Sequence, residues 1–314
     1  MPSFTQQKPS SSTRYNIRSN TLPVRSHPTT QRVEQELTKL NLIRSNELSS
    51  SSSSSLCNSL SGLKGLYGQL EDLLSLQLTR QALAQHQHRK WVHELVDDSL
   101  GYLDICYNTK DVVSMLKQSV RDLQSAIRRA KVLEENSTTT STVVETSAKG
   151  YLALRKKMKK ANYIGQMETK NGGFPLNLDT HLSAVVRVVR ETSLVTSSIM
   201  GSLCLFLSTP LWKPKPSRWS LVSIMAQKGN HSNQENNSHL NELEGVDMAV
   251  RGLLSSENEG FEDDDDDDDE KKIEEAQKKL EALEAAMEEL ENGLEGLFRL
   301  FLHNRVCLLN VLSQ

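Results

Sequence analysis

Apolar and polar residues follow one another along most of the chain with the periodicity of an α-helix. From Leu56 onward, apolar side chains recur every three or four residues, which places them on one face of a helix. A clear run lies between residues 113 and 130, where the spacings are 3, 4, 3, 4 and 3. Strand-like alternation is hard to find, and the helix-favouring residues Leu, Glu, Lys, Gln and Ala are abundant. The pattern predicts an all-α protein, folded as an elongated helical bundle.

The most regular pattern lies at the C-terminus, where residues 271–312 predict one long heptad helix of roughly 60 Å. Two interpretations of its apolar seam remain open. The helix packs into one domain with the helices predicted at 56–133 and 151–225, or it self-associates by pairing with another chain. Asn304 interrupts the seam once, and a lone polar residue can specify the register of such a pair. The candidate pairing residues are Leu280, Leu283, Met287, Leu290, Leu294 and Leu297.

Composition divides the chain into an arm and a domain. Residues 1–55 are rich in Ser, Thr, Gln and Pro and predict a disordered N-terminal arm, which carries one short amphipathic helix at 32–42. Residues 56–312 are expected to form the helical domain, with an acidic linker at 257–270.

Local signals inside the domain predict where its elements begin and end. Residues 78–106 are expected to form a single helix with Thr79 as its N-cap. The Ser/Thr tract at 137–142 predicts a loop, and residues 228–245 predict a polar linker.

One stretch decides between two classes of protein. Residues 192–212 contain no charged side chain over 21 positions, a length that can span a bilayer. Several Ser and Thr residues dilute its apolar character, and charged residues directly precede it. We expect a buried central helix of the bundle, and the alternative is a segment inserted in a membrane.

A second stretch, RKKMKK, concentrates positive charge on a predicted helix. The simplest interpretation is a solvated helix face, and the alternatives are contact with anionic lipid or a nuclear import signal. Aromatic interleaving and RNA-binding motifs are missing from the sequence around it, so we expect no nucleic-acid partner. The candidate patch residues are Arg155, Lys156, Lys157, Lys159 and Lys160.

Net charge and cysteine content indicate which partners and which cellular compartment to expect. The net charge of −3 argues against a general affinity for nucleic acid. The four cysteines are far apart and form no CxxC motif, which is typical of reduced thiols in a cytosolic protein. The N-terminus is polar, so we expect a cytoplasmic protein, with or without membrane association, that is not secreted.

Motifs that carry chemistry are missing from the sequence. It contains no GxSxG, P-loop or HExxH motif, and no GxGxxG followed by an acid. His86, His88 and His93 come closest to a metal site, but on a helix only His93 and Asp97 have the i, i+4 spacing of a ligand pair. We therefore expect no cofactor, no metal, no catalytic residues and no enzymatic activity.

The arm contains the sharpest residue-level candidate. Arg18, Ser19, Thr21 and Pro23 match R-S-x-[S/T]-x-P, the form that 14-3-3 proteins read when the fourth residue is phosphorylated. Phosphate on Thr21 would add roughly 1.5 to 2 negative charges for an arginine cluster on the reader. The motif predicts 14-3-3 as a protein partner of the arm.

An ordered set of stretches resembles the BYPASS-type family of plant proteins. The resemblance implies an all-helical fold without known catalytic residues. It also implies a role in root and shoot development, because the family's founding member restrains a root-derived mobile signal that arrests the shoot. We therefore expect a non-catalytic regulatory or interaction protein, and the alternative is a membrane-associated adaptor anchored through residues 192–212 and 155–160. The stretches are RSNTLPVRSHP (18–28), LTRQALAQHQHRKWVHELVDDSLGYLDIC (78–106), YLALRKKMKK (151–160), SRWSLVSIM (217–225) and LEGLFRLFLHNRVCLLNVL (294–312).

Overall fold

The computed structural model describes residues 27–47, 52–132, 137–160, 178–209, 241–255 and 266–313. Within these ranges the regular secondary structure is entirely α-helical, which confirms the predicted all-α class. In chain order the helices are α1 (Pro28–Glu47), α2 (Ser53–Ser75), α3 (Gln77–Ala84), α4 (Lys90–Val132), α5 (Ser137–Lys160), α6 (Thr180–Leu207), α7 (Glu242–Ser255) and α8 (Asp266–Leu312).

Helix α8 is the central element of the bundle. Its 47 residues span about 70 Å at 1.5 Å per residue, and it packs along both α4 and α2. Residue numbers fall along α8 as they rise along α4, so the two helices are antiparallel. Surface ion pairs contribute at most about 1 kcal/mol each, so they fix the register more than they stabilise the contact. The pairs that join the two helices include Lys110–Glu295, Lys117–Glu291, Arg121–Glu284 and Arg121–Glu288.

Phe301 joins three helices in the core near the C-terminal end of α8. Its ring lies 4.6 Å from the ring of Tyr67 on α2, centroid to centroid, in an edge-to-face arrangement. The ring of Tyr102 on α4 lies 5.7 Å away on the same measure. Edge-to-face aromatic pairs add about 0.5–1.5 kcal/mol beyond the area that they bury. Three aromatic rings thus meet where α2, α4 and α8 come together.

Helix α1 is longer than the predicted helix at 32–42, and it belongs to the bundle. It packs on α2 and α6, and Val33, Leu37 and Leu40 are buried there. The interpretation of these residues as part of a mobile arm is therefore wrong for residues 28–47. The apolar spacing was recognised correctly, but it does not indicate that α2 and α6 cover this face.

The predicted helix at 78–106 is divided in two by a turn at residues 85–89. In this turn the Nδ1 atom of His86 donates to the carbonyl of Ala82 at 3.0 Å, which occupies an acceptor at the end of α3. Thr79 does not cap a helix. Its hydroxyl is buried and hydrogen-bonds the Nε2 atom of His181 on α6, at 3.0 Å. A polar side chain that looked like a local cap instead makes a long-range contact.

The Ser/Thr tract at 137–142 is helical rather than a loop, and it forms the beginning of α5. The hydroxyl of Thr146 donates to the carbonyl of Thr142 at 2.7 Å, one turn earlier. Hydroxyls that bond the preceding turn in this way are compatible with a helix.

Helix α6 contains the described part of the uncharged stretch 192–212, and it is packed inside the bundle as expected. Val195, Ile199 and Leu203 are at most 5% exposed. The hydroxyls of Thr192 and Thr196 are buried without loss of hydrogen bonding, because each donates to the carbonyl four residues earlier at 2.8 Å.

Helix α7 overlaps the predicted polar linker at 228–245, which is wrong from Glu242 onward. The carboxylate of Glu242 accepts hydrogen bonds from the backbone N–H and hydroxyl of Ser53, at the first residue of α2. A carboxylate at a helix N-terminus is stabilised by the unpaired N–H groups there. Leu243, Val246 and Val250 bury the other face of α7, which packs on α8.

Candidate functional site

The basic run at 155–160 is divided between the interior and the surface. Arg155 is only 1% exposed, so its assignment to a solvated patch is wrong. Lys156 and Lys157 are exposed, as predicted. Lys159 and Lys160 belong to α5, but their side chains lie outside the described part of the structure. The helical repeat explains the division, because position 155 shares the buried face of α5 with Tyr151 and Met158.

Arg155 is the centre of a buried ionic cluster formed with Tyr151 and Asp247. Its Nη2 atom lies 3.1 Å from Oδ2 of Asp247, and its Nε atom lies 3.2 Å from Oδ1. The hydroxyl of Tyr151 donates to Oδ1 of the same carboxylate at 2.8 Å. The carboxylate is therefore bound on both oxygens by donors from α5.

The same guanidinium also binds the C-terminal end of α6. Its Nη1 atom donates to the carbonyl of Leu207 at 2.6 Å, and its Nη2 atom donates to that of Thr209 at 3.2 Å. The last carbonyls of a helix have no partner within the helix and carry its negative dipole end. One buried cation thus joins α5, the end of α6 and α7.

This cluster can hold helices together by buried hydrogen bonds and an ion pair. Its electrostatics do not favour proton transfer. Burial, followed by the charge of Asp247, raises the pKa of Tyr151 well above its ordinary value of 10.0. The phenol therefore stays neutral and donates its proton to a carboxylate that is already paired with Arg155. Removing one member of a buried ion pair costs about 3–5 kcal/mol, because the remaining charge is left unpaired.

The heptad seam of α8 lies inside the chain. Its residues pack against α2, α4 and α7 and are covered by the protein's own helices. This face is not available to a second chain while α8 is packed in this way, so the observed packing is the first of the two predicted arrangements. All six candidate pairing residues are 0% exposed: Leu280, Leu283, Met287, Leu290, Leu294 and Leu297.

A second apolar series on α8 faces outward near its C-terminus. Leu302, Val306 and Leu309 are 44%, 44% and 42% exposed. Their i, i+4, i+7 spacing places them within about 60° of one another around the helix axis. We call these three residues the C-terminal stripe. The sequence contained this signal, but the stronger seam on the opposite face concealed it.

Positive charge borders the C-terminal stripe. Arg299 lies one turn before it and is 74% exposed, with an i, i+4 partner in Glu295. Arg305 is held in place by Nη1, which donates to the carbonyl of Val96 and to the hydroxyl of Ser99 on α4. Residues 297–312 contain two Arg and no Asp or Glu. The stripe is therefore an apolar surface with an arginine on each side.

Asn304 points to the opposite side of α8 and is 4% exposed. Its Nδ2 atom donates to the carbonyl of Tyr67 on α2 at 3.2 Å and to that of Leu300 at 2.9 Å. The predicted role in setting a helix register therefore has a partner within the chain, since the amide connects α8 to α2.

The histidines considered for a metal site do not assemble into one. Among the described residues, His, Cys, Asp and Glu side chains form no group of three or more that could hold a metal ion. A different histidine contact was not evident in the sequence. His181 at the start of α6 bonds Thr79 on α3, and its ring lies 6.1 Å from that of His27, just before α1. His181 thus connects the start of α6 to α3 and to the residue that precedes α1.

Other predicted features lie outside the described residues. They include the 14-3-3 motif with Arg18, Ser19, Thr21 and Pro23, and residues 257–265 of the predicted acidic linker. The prediction of a linker up to residue 270 is wrong from Asp266 onward, because α8 begins there. Of the helices that the structure describes, none combines the length and the hydropathy needed to cross a membrane.

Comparison with known protein families decides the classification of the chain. A family model described as Protein BPS1 matches residues 59–311, from within α2 to the last turn of α8. The chain belongs to the BPS1, or BYPASS, family. The match includes both the buried cluster on Arg155 and the C-terminal stripe, whereas α1 precedes it. Membership of the BYPASS family suggests a role in plant development. No curated protein and no solved structure matches the chain.

Proposed function

We propose that this member of the BYPASS family is a non-catalytic regulatory protein of root and shoot development that acts by binding another protein through the C-terminal stripe. The observation that carries the proposal is the exposure of Leu302, Val306 and Leu309 on a helix whose other large apolar side chains are buried or partly buried. Exposed apolar residues that are contiguous, with a polar border, are typical of protein interaction sites.

The structure favours an acidic, amphipathic helix as the segment of the partner that binds. The three apolar side chains follow one helical face, which suits a helix with its own residues at i, i+3 or i+4, and i+7. Arg299 and Arg305 border the stripe, and acidic side chains on the partner would complement them. The partner's apolar residues would cover the stripe and its acids would lie at the rim.

The stripe can supply a measurable part of a binding energy. Complete burial of a Leu or Val side chain contributes about 1.5–3 kcal/mol, and the stripe residues still expose a little under half of theirs. Their further burial is therefore worth about 1 kcal/mol each, or roughly 3 kcal/mol together. Polar replacement of all three should weaken binding by about 100-fold.

The test is affinity purification of the full chain from root and shoot tissue, with quantitative mass spectrometry. The variant carries Leu302→Gln, Val306→Gln and Leu309→Gln. The matched control carries three glutamines at exposed apolar positions elsewhere: Leu42, Leu194 and Leu205. Proteins that bind through the stripe should be recovered with the wild type and the control and lost with the variant. If the variant recovers the same set of proteins as the control, the stripe is not the binding surface.

The N-terminal motif gives a second route to a partner. Phosphorylation of Thr21 would create a 14-3-3 ligand framed by Arg18, Ser19 and Pro23, and this docking would be independent of the stripe. Thr21→Ala should abolish binding of 14-3-3 to a phosphorylated sample. Unchanged binding would exclude Thr21 as the recognised residue.

The alternative function, a membrane-associated adaptor, is favoured by one observation. Lys156 and Lys157 are exposed and adjacent on α5, where they could contact anionic lipid. Insertion of residues 192–212 would in addition require α6 to leave its buried position in the bundle. Surface association would be released from membranes by a carbonate wash, and retention after the wash would indicate insertion.

The developmental step we propose is restraint of the root-derived mobile signal, as in the founding member of the family. The chain would act on this signal through its partner rather than by converting a substrate. Purified protein should therefore turn over no component of a plant metabolite extract. Reproducible consumption of one metabolite would replace this proposal with an enzymatic one.

A further inference from the structure

A small cavity lies beneath the C-terminal end of α8, where α2, α4, α6 and α8 meet. Its volume is about 40 Å³, and its lining includes Tyr67, Tyr102, Ser193, Phe301, Asn304 and Leu308. A cavity of about 10–15 Å³ on this measure is sufficient for one water molecule. The space therefore accommodates water but not a metabolite of ordinary size.

Asn304 presents an unpaired acceptor at this cavity. Both bonds of its Nδ2 atom go to carbonyl oxygens, those of Tyr67 and Leu300. Rotation of the amide by 180° would place Oδ1 against the same two carbonyl oxygens, so its orientation is fixed. The Oδ1 atom is buried and accepts no hydrogen bond from the described part of the chain. Buried acceptors of this kind are normally satisfied by protein or by ordered water.

The neighbouring hydroxyls of Tyr67 and Thr196 do not supply the missing proton. Thr196 donates to the carbonyl of Thr192 at 2.8 Å, so the bond of 3.1 Å between Tyr67 and Thr196 must use the proton of Tyr67. The phenolic oxygen of Tyr67 is thus left with acceptor capacity only. The hydroxyl of Tyr102, in the same lining, is also buried without a hydrogen-bond partner among the described residues. A ligand at this position must therefore donate to Asn304, and it can accept from Tyr102.

The lining also determines the charge of the ligand. All residues around the cavity are neutral: Tyr67, Leu70, Leu74, Leu95, Ser99, Tyr102, Val189, Thr192, Ser193, Phe301, Asn304 and Leu308. Burial raises the pKa of Tyr102 to about 12, so this phenol does not ionise near neutral pH. An ion would have no partner of opposite charge and would lose its hydration.

We propose that the cavity is an internal hydration site, in which a bound water donates a hydrogen bond to Oδ1 of Asn304. Water meets each of the three requirements, since it is neutral, donates two hydrogen bonds and fits the volume. It also completes the hydrogen bonding of the side chain that connects α8 to α2, directly beneath the helical turn that presents the C-terminal stripe.

The first test is a high-resolution crystal structure of the full chain, determined with and without xenon gas. The expected result is water density within 3.2 Å of Oδ1 of Asn304, a distance typical of hydrogen bonds, and no xenon in the cavity. Xenon occupies dry apolar cavities. A xenon atom in this position, or a protein donor bonded to Oδ1, would overturn the proposal.

A second test counts long-lived internal waters in solution by oxygen-17 magnetic relaxation dispersion. Asn304→Leu should remove at least one such water. Val189→Leu, which adds a methylene group to the lining without changing Asn304, should remove one as well and remains informative if Asn304→Leu does not fold. The control is Thr109→Val, because Thr109 is buried outside this lining and bonds Cys204. An unchanged count in Val189→Leu, equal to that of the control, would contradict a water at this site.

Discussion

Replacement of Arg155 by methionine tests whether the buried cluster fastens the bundle. Methionine keeps most of the apolar stem and removes the guanidinium, so the carboxylate of Asp247 retains only the hydrogen bond from Tyr151. The carbonyls of Leu207 and Thr209 lose their donor at the same time. Leaving one charge of a buried pair unpaired costs about 3–5 kcal/mol. We expect a loss of this size in the free energy of unfolding.

A double variant separates the unpaired charge from the other losses. Arg155→Met with Asp247→Leu removes both charges, and replacement of a whole buried pair is often close to neutral. The double variant still leaves the two carbonyls without their donor, as the single variant does, and it also leaves the hydroxyl of Tyr151 without its acceptor. The added cost of that hydroxyl, about 1–3 kcal/mol, is smaller than the cost of the unpaired charge that is removed. It should therefore be more stable than Arg155→Met alone.

Urea unfolding followed by circular dichroism at 222 nm measures these differences. Lys156→Met is the matched control, because Lys156 is adjacent on α5 and exposed. A substitution at such a position should change the free energy of unfolding by no more than about 0.5 kcal/mol. If Arg155→Met is as stable as this control, the cluster does not fasten α5, α6 and α7.

Three further predictions follow from local geometry. Burial, and to a lesser extent nearby His27, lowers the pKa of His181 below its ordinary value of 6.5. As the pH drops below 6.5 the unfolded chain therefore binds this proton before the folded chain does, so the stability of the fold decreases. His181→Gln should reduce this pH dependence in thermal melts at pH 5–7. Burial, and to a lesser extent Glu289, raises the pKa of Cys57 from 9.0 to about 11. Alkylation of Cys57 by iodoacetamide at pH 8, measured by peptide mass spectrometry, should therefore be about 100-fold slower than that of an ordinary thiol. An ordinary rate would refute the shift. A Cβ added to Gly62 would lie 2.6 Å from Cδ1 of the buried Leu40, whereas one added to Gly68 meets nothing within 4 Å. Gly68→Ala should therefore raise the free energy of unfolding by about 0.5–1 kcal/mol. The Gly62→Ala variant should be less stable than the Gly68→Ala variant by at least about 1 kcal/mol. Equal stabilities would show that the α1–α2 contact is looser than described.

The long helices and the heptad seam could be predicted because their signal is local. The 3,4 spacing from Leu280 to Leu297 specifies a helix and its apolar face whichever partner covers that face. The spacing does not identify the partner. Only the structure reveals that α2, α4 and α7 of the same chain cover the seam.

The buried cluster could not be predicted, because its members are separated in sequence. Tyr151 and Arg155 share a helix face, but Asp247 lies 92 residues beyond Arg155. The helical repeat places Arg155 on the face of Tyr151 and Met158, but a charged residue on that face gives no indication of the partner that would neutralise it. Asp247 lies just after a polar segment that resembles a linker. Helix α7 was missed for a different reason, because its apolar face is only a few residues long.

The C-terminal stripe could have been predicted from the sequence. Leu302, Val306 and Leu309 have ordinary helical spacing, and they fall on the side of α8 opposite to Asn304. A helix with two apolar faces must bury one and expose the other, or bury both. The choice between these outcomes depends on the number of helices that surround α8, which the sequence does not specify.

The most direct test of the proposed function is complementation of plants that lack this protein and show arrested development. The transgenes encode the wild type, the triple glutamine variant of the stripe, and the control with glutamine at Leu42, Leu194 and Leu205, all expressed at equal protein levels. We predict that the wild type and the control restore root and shoot growth and that the stripe variant does not. Full restoration by the stripe variant would contradict a regulatory role exerted through this surface.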